Sequence, residues 1–310
     1  MSVQYLDIEE SHDAGQRIDN YLMKILKGVP RQHVYKILRS GEVRINKGRV
    51  KPTYRLQVGD RIRIPPISTK QQLPVEFSST SAEILRAAIL YEDNDFIILN
   101  KPTGQAVHGG TSISSGIIEI MRVVTNNPRL ELVHRLDRDT SGVLALAKKP
   151  SALKLAQHQF RQRSVKKIYE AFVWGLWPVK HKVVQLMLKR YETSWGERRV
   201  RVDTSGQQAR TDFSILDQAE QCATRLQATL HTGRTHQIRV HTSATGHGII
   251  GDDKYQEKPV LARGSGGLVS AARLCLHAKK LVIPLGSDTL KVTAPVPADM
   301  EAIWSTLKTS

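Results

Sequence analysis

The chain has 310 residues, which is enough for one large domain or two smaller ones. Hydrophobic residues make up 40% of it, so global disorder is excluded. The formal net charge of +17 predicts a polyanionic partner, and neither a long apolar run nor a lipidation motif supports a membrane surface in that role. Two cysteines in separate segments, and a start without signal-peptide character, favour a reducing, cytoplasmic location.

The N-terminal part of the chain carries the signals of a small domain. Apolar side chains within Ile18–Leu26 follow helical spacing. A second helix is predicted at Gln32–Ser40, because Gly41 then stands where a helix commonly ends in glycine. Alternating apolar and basic residues predict short strands at Val43–Asn46 and Gly59–Ile64. The expected order is therefore helix, helix and short strands with a basic outer face.

Basic residues concentrate in two stretches of the chain. Lys24–Arg63 holds twelve lysines and arginines against two acids, and Lys148–Tyr169 holds seven against none. A single basic run is usually a solvated surface, but two runs in a chain of this charge favour a surface that faces RNA. The residues that we expect to bind RNA are Arg17, Arg31, Arg39, Arg44, Lys47, Lys51, Lys166 and Lys167.

The rest of the chain combines many strands with few helices. Strands are predicted at Ala87–Tyr91, Phe96–Leu99, Ile168–Leu176 and Cys222–His231, and helices at Ser151–Arg163 and Arg234–Ala244. This pattern predicts an α+β domain around a largely antiparallel sheet. The stretch before it contains prolines and has the composition of a linker without fixed structure. We expect a small domain at residues 1–66, a linker at 67–83 and a larger domain at 84–310.

One nonapeptide, His134–Gly142, is the most informative segment of the sequence. It places the carboxylate of Asp137 in a turn-prone stretch just before the apolar run Val143–Ala147. Arg135 and Arg138 flank this carboxylate, and nearby positive charges favour its ionised form, which can act as a nucleophile or as a base. The alternative is that Asp137 only closes a turn, together with the hydroxyl residues that follow it.

Four segments in a fixed order resemble the motifs of the RNA pseudouridine synthases that modify uridines in large-subunit ribosomal RNA and in tRNA. Asn100–Gly104 resembles that family's N-K-P-x-G, and His134–Gly142 its H-R-L-D-x-x-T-S-G. Lys166–Tyr169 resembles K-K-x-Y, and Gly233–His241 resembles G-R-T-H-Q-I-R-V-H. The N-terminal elements resemble the alpha-L RNA-binding domain of a small-subunit ribosomal protein. The resemblance covers nearly the whole chain and weakens within Glu257–Ala272 and at the C-terminus.

The resemblance implies isomerisation of uridine to pseudouridine, in which the base leaves the ribose through nitrogen and returns through C5. It implies a catalytic domain with helices flanking a mostly antiparallel mixed sheet, and no metal, nucleotide or redox cofactor. Asp137 is the implied anion beside the sugar; it attacks the sugar carbon, adds to the base, or abstracts a ribose proton, and the residues leave these routes open. Arg234 is implied to pair with this carboxylate, and Tyr169 to pack on the base. His134 and Arg135 complete the expected substrate contacts.

The sequence is also consistent with other roles for single residues and with other functions of the protein. Arg234 in isolation is also consistent with a phosphate contact, and Tyr169 with a half-buried strand residue. An enzyme that removes the base would need a second carboxylate, for which Asp139 is the candidate. A non-catalytic RNA-binding factor in ribosome assembly and a tRNA-modifying enzyme are further alternatives. Histidines 231, 236 and 241 have no spacing typical of zinc ligands, so we expect no metal site. We also expect a monomer that acts on a flipped-out uridine.

Overall fold

The computed structural model of the protein describes residues 3–9, 13–26, 29, 31–67, 77–109, 115–220, 222–256 and 273–309. Contacts divide the chain into two compact units, residues 1–74 and 75–310. The weakly matching stretch Glu257–Ala272 and most of the expected linker, residues 68–76, lie outside the described residues. Among the residues described, no helix is both long and apolar enough to cross a membrane.

The first unit packs two helices on a four-stranded antiparallel sheet whose strand order is β1-β4-β2-β3. Its elements are β1 (Gln4–Asp7), α1 (Ile18–Ile25), α2 (Arg31–Arg39), β2 (Arg44–Ile45), β3 (Gly48–Arg49) and β4 (Arg61–Ile64). Both predicted helices are present to within one residue at each end, and β1 was not predicted. Apolar side chains at helical spacing, among them Ile18, Leu22 and Ile37, form the buried core beneath the sheet.

The second unit is built on an eleven-stranded mixed sheet with the order β11-β10-β12-β13-β9-β14-β8-β6-β5, to which β7 and β15 add at β8 and β14. Its strands are β5 (Ile89–Glu92), β6 (Phe96–Lys101), β7 (Glu131–Leu132), β8 (Ser141–Ala147), β9 (Lys166–Trp174), β10 (Val183–Glu192), β11 (Arg198–Val202), β12 (Gln207–Ala219), β13 (Ala223–Leu230), β14 (Leu276–Leu285) and β15 (Asp288–Thr293). Every paired neighbour is antiparallel except β8 and β14. The prediction of an α+β fold on a mostly antiparallel sheet is confirmed.

Among the described residues, five helices accompany this sheet: α3 (Ser79–Ala87), α4 (Ile117–Val124), α5 (Pro150–Arg161), α6 (Gln237–Ala244) and α7 (Ala298–Thr309). Helix α3 begins within the stretch for which we expected no fixed structure. It forms because the Ser78 side chain caps its first turn and Leu85 is fully buried. The predicted strand Ala87–Tyr91 is accordingly shifted and begins at Ile89. Helices α4 and α7 were not predicted.

Strand β8 lies in the middle of the sheet and is buried along its whole length. Its second residue, Gly142, has a φ of +111°, and a Cβ built there would stand 2.3 Å from the carbonyl oxygen of Ala278. Only glycine fits this position, because the backbone of β14 approaches too closely for any side chain. This close approach sets where β8 begins, and therefore where the preceding loop with Asp137 lies.

Candidate active site

A pocket of about 300 Å³ in the second unit contains all five residues predicted for catalysis and substrate contact. His134, Arg135, Asp137, Tyr169 and Arg234 all line it. These residues come from the loop before β8, from strand β9 and from the turn before α6. Residues that are distant in sequence therefore meet in one cavity of a size typical of small-molecule sites. The other lining residues include Lys167, Arg190, His236 and Arg239.

The loop that carries Asp137 is held from beneath by Lys101. The Lys101 side chain is fully buried, and its ammonium donates hydrogen bonds to the backbone carbonyls of Pro102 (2.8 Å), Gln105 (2.7 Å) and Arg138 (2.8 Å). Burial lowers the pKa of Lys101 to about 7, although the charges of Asp139 and Asp137 oppose this shift. Lys101 belongs to the N-K-P-x-G motif, so that motif fastens the Asp137 loop to the sheet.

A second buried network holds the end of the loop, where β8 begins. The guanidinium of Arg273 donates to Ser141 Oγ (2.6 Å), whose own proton is then directed to His277 Nδ1 at 2.9 Å. Arg273 also pairs with Asp299 of α7 at 3.0 Å. Burial lowers the pKa of His277 to about 4, so its ring is neutral near pH 7. Ser141 is therefore a structural residue of the motif.

The arginines expected beside Asp137 do not pair with it. Arg138 contacts Asp139 at 3.1 Å, and Arg135 is exposed at the mouth of the pocket. Arg234 Nε donates to the carbonyl of Gln208 (3.2 Å), and no ion pair joins it to Asp137, although both residues are described. The Arg234–Asp137 pairing that the resemblance implied is therefore absent. The reason is that the helix begins at Gln237 and not at Arg234, so that Arg234 lies in the preceding turn.

His236 faces Asp137, with its Nε2 3.9 Å from Oδ2 of the carboxylate. His236 precedes α6 in a left-handed conformation with φ 52° and ψ 22°, which is rare for a residue with a side chain. Its Nδ1 lies 2.6 Å from the hydroxyl of Tyr255. Strained backbone of this kind persists where the surrounding structure enforces it, and it often marks functional sites.

Hydrogen bonding determines which ring nitrogen of His236 carries the proton. The Tyr255 hydroxyl accepts a bond from the N–H of Val200 (2.9 Å), so its own proton is free to go to His236 Nδ1. The neutral ring then carries its proton on Nε2, which points to Asp137. Burial lowers the pKa of His236 in spite of the nearby carboxylate, and it raises the pKa of Tyr255 to about 12. Both groups are therefore neutral near pH 7.

Arg239 supplies a buried positive charge behind Asp137. It is 2% exposed, and it forms two hydrogen bonds with Asp252, at 2.8 and 2.6 Å. Burial lowers the pKa of Arg239, but the bonds to Asp252 and the charges of Asp252 and Asp137 raise it above its ordinary value overall. Arg239 belongs to the same motif as Arg234. The resemblance to the family implied Arg234 as the arginine beside Asp137, and not Arg239.

Tyr169 and His134 flank the carboxylate as uncharged groups. Burial, and after it the charge of Asp137, raises the pKa of Tyr169 above its ordinary value, so that its hydroxyl keeps its proton. The His134 ring stacks on Phe160 at 5.3 Å, and its Nε2 accepts the N–H of Ala145 (3.1 Å). Burial lowers the pKa of His134 to about 4. These contacts make His134 a residue that positions the loop.

The residues expected to bind RNA differ in their exposure and in their contacts with other side chains. Arg31, Arg39, Arg44, Lys47, Lys51 and Lys166 are exposed. In contrast, Arg17 donates two hydrogen bonds to Asp19, the shorter 2.7 Å, and Lys167 is half-buried in the wall of the pocket. Arg44 and Lys47 line a second cleft with Arg61 and Arg63 in the first unit. Within the described part of the chain, no group of three or more ligand side chains could hold a metal ion.

Two family models and several curated proteins match this chain. The family described as RNA pseudouridylate synthase matches residues 95–244, and the S4 domain family matches residues 16–62. The protein named ribosomal large subunit pseudouridine synthase C from Pasteurella multocida (strain Pm70) is 46% identical, with 99% of this chain and 94% of that protein covered. Its namesake from Haemophilus influenzae (strain ATCC 51907 / DSM 11121 / KW20 / Rd) is also 46% identical, with 100% and 96% covered.

A solved structure has the same architecture. It is titled human RNA pseudouridylate synthase domain containing 4, and it has a TM-score of 0.60 and 26% identity, covering 74% of this chain and 96% of that one. The pocket and these matches together define an RNA-modifying isomerase. The chain belongs to the RNA pseudouridylate synthase family and carries an N-terminal S4 domain, as its motifs predicted.

Proposed function

We propose that the protein converts specific uridines of large-subunit ribosomal RNA into pseudouridine, acting as a cytoplasmic monomer without a cofactor. The observation that carries this proposal is the convergence of Asp137, Tyr169 and His236 on one pocket. The ribosomal substrate is taken from the names of the relatives that match over the full length of this chain. Modification of tRNA remains the alternative substrate within the same chemistry.

The reaction keeps all atoms of the uridine and changes one connection. The bond between N1 and the ribose C1′ breaks, the base turns, and C5 forms the new bond to C1′. The proton on C5 is then lost and N1 gains one, so the change is an isomerisation. Asp137 provides the anion beside the sugar. Its route, whether through attack on the sugar, addition to the base or abstraction of a ribose proton, remains open.

The neighbours of Asp137 fit this role. Tyr169 is an uncharged aromatic residue in the wall of the pocket, where its ring can support the base and its hydroxyl can accompany proton movement at C5. The Nε2 of His236 lies 3.9 Å from the carboxylate, and Arg239 places a buried positive charge in the wall of the same pocket. Arg135, exposed at the mouth, and Arg234 in the wall are placed to contact phosphates of the RNA.

The target uridine must leave the base stack to reach Asp137, because a pocket of about 300 Å³ admits one nucleoside and not a duplex. Unstacking a base costs a few kcal/mol, which contacts between basic side chains and phosphates can offset. We propose that the S4 domain, within residues 1–66, recruits RNA through Arg31, Arg39, Arg44, Lys47 and Lys51, while residues 84–310 perform the chemistry. Arg17, Lys166 and Lys167 are weaker candidates for phosphate contacts.

The decisive experiment maps pseudouridines in ribosomal RNA and tRNA from cells with the protein, without it, and with the Asp137→Asn variant. Loss of the same ribosomal sites in the last two strains, with tRNA unchanged, is the expected result. Loss of tRNA sites alone would establish the alternative substrate. Sites that persist in the Asp137→Asn strain would identify a non-catalytic assembly factor.

A separate assay distinguishes isomerisation from base removal. RNA carrying labelled uracil is incubated with the purified protein, and free uracil is measured beside pseudouridine. We expect pseudouridine alone. A base-removing enzyme with two carboxylates is disfavoured, since Asp139 pairs with Arg138 and is not among the residues that line the pocket. Release of free uracil would overturn the proposed reaction.

A further inference from the structure

An exposed tryptophan stands at the tip of the hairpin formed by β10 and β11. The side chain of Trp195 is 73% exposed, whereas Trp177 and Trp304 are buried and Trp174 is half-buried. A large aromatic group in water forgoes the burial energy that normally places tryptophan inside a protein. Exposure of this extent distinguishes Trp195 from the other three tryptophans, and a binding partner that covers the indole ring accounts for it.

The tip that carries Trp195 is a well-ordered turn. The N–H of Thr193 donates to the carbonyl of Glu197 (2.9 Å), and the N–H of Gly196 donates to the carbonyl of Thr193 (2.9 Å). The Thr193 hydroxyl accepts the N–H of Glu197 at 3.0 Å, and Gly196 supplies the left-handed residue with a φ of +83°. Hydrogen bonds thus hold the backbone on both sides of Trp195.

The hairpin is also fixed to the segment that supports the active site. Glu197 accepts bonds from Lys254 (2.6 Å) and Arg199 (2.7 Å), and these two bonds lower the pKa of Glu197 to about 2. The next residue in this segment is Tyr255, which binds both Val200 of β11 and His236. The indole ring is therefore presented on a preorganised arm, and little conformational entropy remains to be lost on binding.

Positive charge connects the pocket of Asp137 with this tip. Val183–Val202 holds five basic residues against two acidic ones. Arg190 lines the pocket and also a neighbouring depression along β10, which Lys189 and Arg234 share with it. Arg190 pairs across the strands with Val200 and Glu192 pairs with Arg198, so the two arginines lie on the same face.

The two arginines on this face are free to meet phosphates. Neither Arg190 nor Arg198 forms an ion pair with any described carboxylate; Arg190 contacts only the hydroxyl of Thr235. From Arg190 to the tip the strand extends about 15 Å. A basic path of this length, which starts at the catalytic pocket and ends at an aromatic ring, has the composition of a site for single-stranded nucleic acid.

We propose that Trp195 stacks on an unpaired nucleobase of the RNA substrate near the target uridine, while Arg190 and Arg198 contact the phosphates between them. This inference rests on the proposed function, because it assumes that RNA occupies the pocket of Asp137. A protein partner fits less well, since Trp195 is the one large apolar residue of the segment Glu192–Arg199. Every nucleobase offers a flat face for stacking, so this contact adds affinity with little sequence preference.

Tryptophan fluorescence tests the contact directly. The probe is a single-stranded RNA of about a dozen nucleotides, and inorganic polyphosphate serves as a ligand with the charges but without bases. We expect RNA to quench the emission of the wild-type protein, polyphosphate to leave it unchanged, and the Trp195→Phe variant to lose the quenched component. Equal emission of wild-type protein with and without saturating RNA would overturn the proposal.

Affinity measurements separate stacking from charge. Trp195→Ala should weaken RNA binding about 5- to 150-fold without changing how the dissociation constant depends on salt, and Trp195→Phe should retain most of the affinity. Arg198→Gln should instead reduce the slope of log Kd against log salt by about 1. Val179→Ala, which shortens a side chain that is 69% exposed, is the control and should have no effect.

The same variants give results that distinguish this inference from the proposed function. If Trp195→Ala binds and turns over RNA as the wild type does, the stacking site is wrong while the proposed function stands. If the wild-type protein forms no pseudouridine in any ribosomal RNA, the proposed function fails first. For Trp195→Ala we expect a raised KM with kcat nearly unchanged, because the indole is distant from the reacting atoms.

Discussion

Replacing Tyr255 with phenylalanine tests whether the hydrogen-bond chain behind Asp137 supports catalysis. The change removes one oxygen atom, which links the N–H of Val200 (2.9 Å) to His236 Nδ1 (2.6 Å). The ring packing against Arg239 and His236 stays in place, at centroid distances of 5.1 and 5.4 Å. The His236 ring is then free to carry its proton on either nitrogen, and in one tautomer no N–H faces Asp137.

The size of the effect follows from the strength of one hydrogen bond. A bond between neutral groups contributes about 0.5–1.5 kcal/mol, so loss of the preferred tautomer should lower kcat about 2- to 12-fold. KM should change little, because the Tyr255 hydroxyl does not face the pocket where the base binds. The unfolding free energy should also fall by about 1–3 kcal/mol, since the buried N–H of Val200 loses its acceptor.

The pH profile gives a readout that a purely structural role would not change. In the wild type, burial lowers the pKa of His236, and the bond from Tyr255 further stabilises its neutral form. Removing that bond raises the pKa of His236, so the imidazolium, which carries an N–H on both ring nitrogens, forms at higher pH, and the deficit in kcat of the variant should shrink as the pH falls. The assay is single-turnover pseudouridine formation between pH 5 and 8. A kcat equal to that of the wild type across this pH range, in a folded variant, would refute the role of this chain of bonds.

Further predictions concern the anion, the domains, metals and acid stability. Asp137→Asn should abolish pseudouridine formation with RNA affinity near normal, and Asp139→Asn should retain most activity; the reverse pattern in a turnover assay would contradict the assignment. Deleting residues 1–66 should weaken RNA binding and flatten its salt dependence, measured by titration at several salt concentrations. Turnover should survive EDTA on RNA that folds without magnesium. Stability should fall between about pH 6.5 and 4, since burial lowers the pKa values of His241 and His277 to about 4 and the unfolded chain binds more protons in that window; chemical denaturation at several pH values checks this.

The acid-stability prediction can be attributed to particular residues by mutation. A histidine whose pKa drops from 6.5 to about 4 on folding contributes of order 3 kcal/mol of pH-dependent stability, present above pH 6.5 and lost as the pH falls toward 4. His241 is fully buried, and neither ring nitrogen has a hydrogen-bond partner among the described residues. His241→Leu should therefore reduce the pH dependence. If the stability of the His241→Leu variant depends on pH as that of the wild type does, His241 does not cause the loss of stability in acid.

Much of the fold and of the site could be predicted because the spacing of apolar residues, the turn residues and the motifs are visible in short stretches of the sequence. Apolar residues at helical spacing located α1 and α2, and turn residues beside apolar runs located β5 and β6. The motifs identified Asp137, Tyr169 and Arg234, which all line the pocket. Helix α3 escaped prediction because its signal is weak: it has a serine cap and a single fully buried residue, Leu85.

Other residues of the site could not be found in the sequence, since their roles depend on distant contacts. Tyr255 lies 19 residues after His236 and belongs to none of the four motifs, yet its hydroxyl directs the proton of that histidine. Arg239 was visible in its motif, but only its partner Asp252 and the start of α6 at Gln237 distinguish it from Arg234. Spacing along a chain does not reveal which of two arginines turns inward.

The motifs occur together because their residues meet beneath the pocket. Lys101, in the first motif, binds the carbonyl of Arg138 in the second, and Gly142 at the end of the second lets β14 approach β8. The last motif then brings His236 to within 3.9 Å of Asp137. Residues of three of the four motifs thus lie around the same short loop. A substitution at Lys101 should therefore lower activity through displacement of Asp137, even though the ammonium group donates its hydrogen bonds to backbone carbonyls and is fully buried.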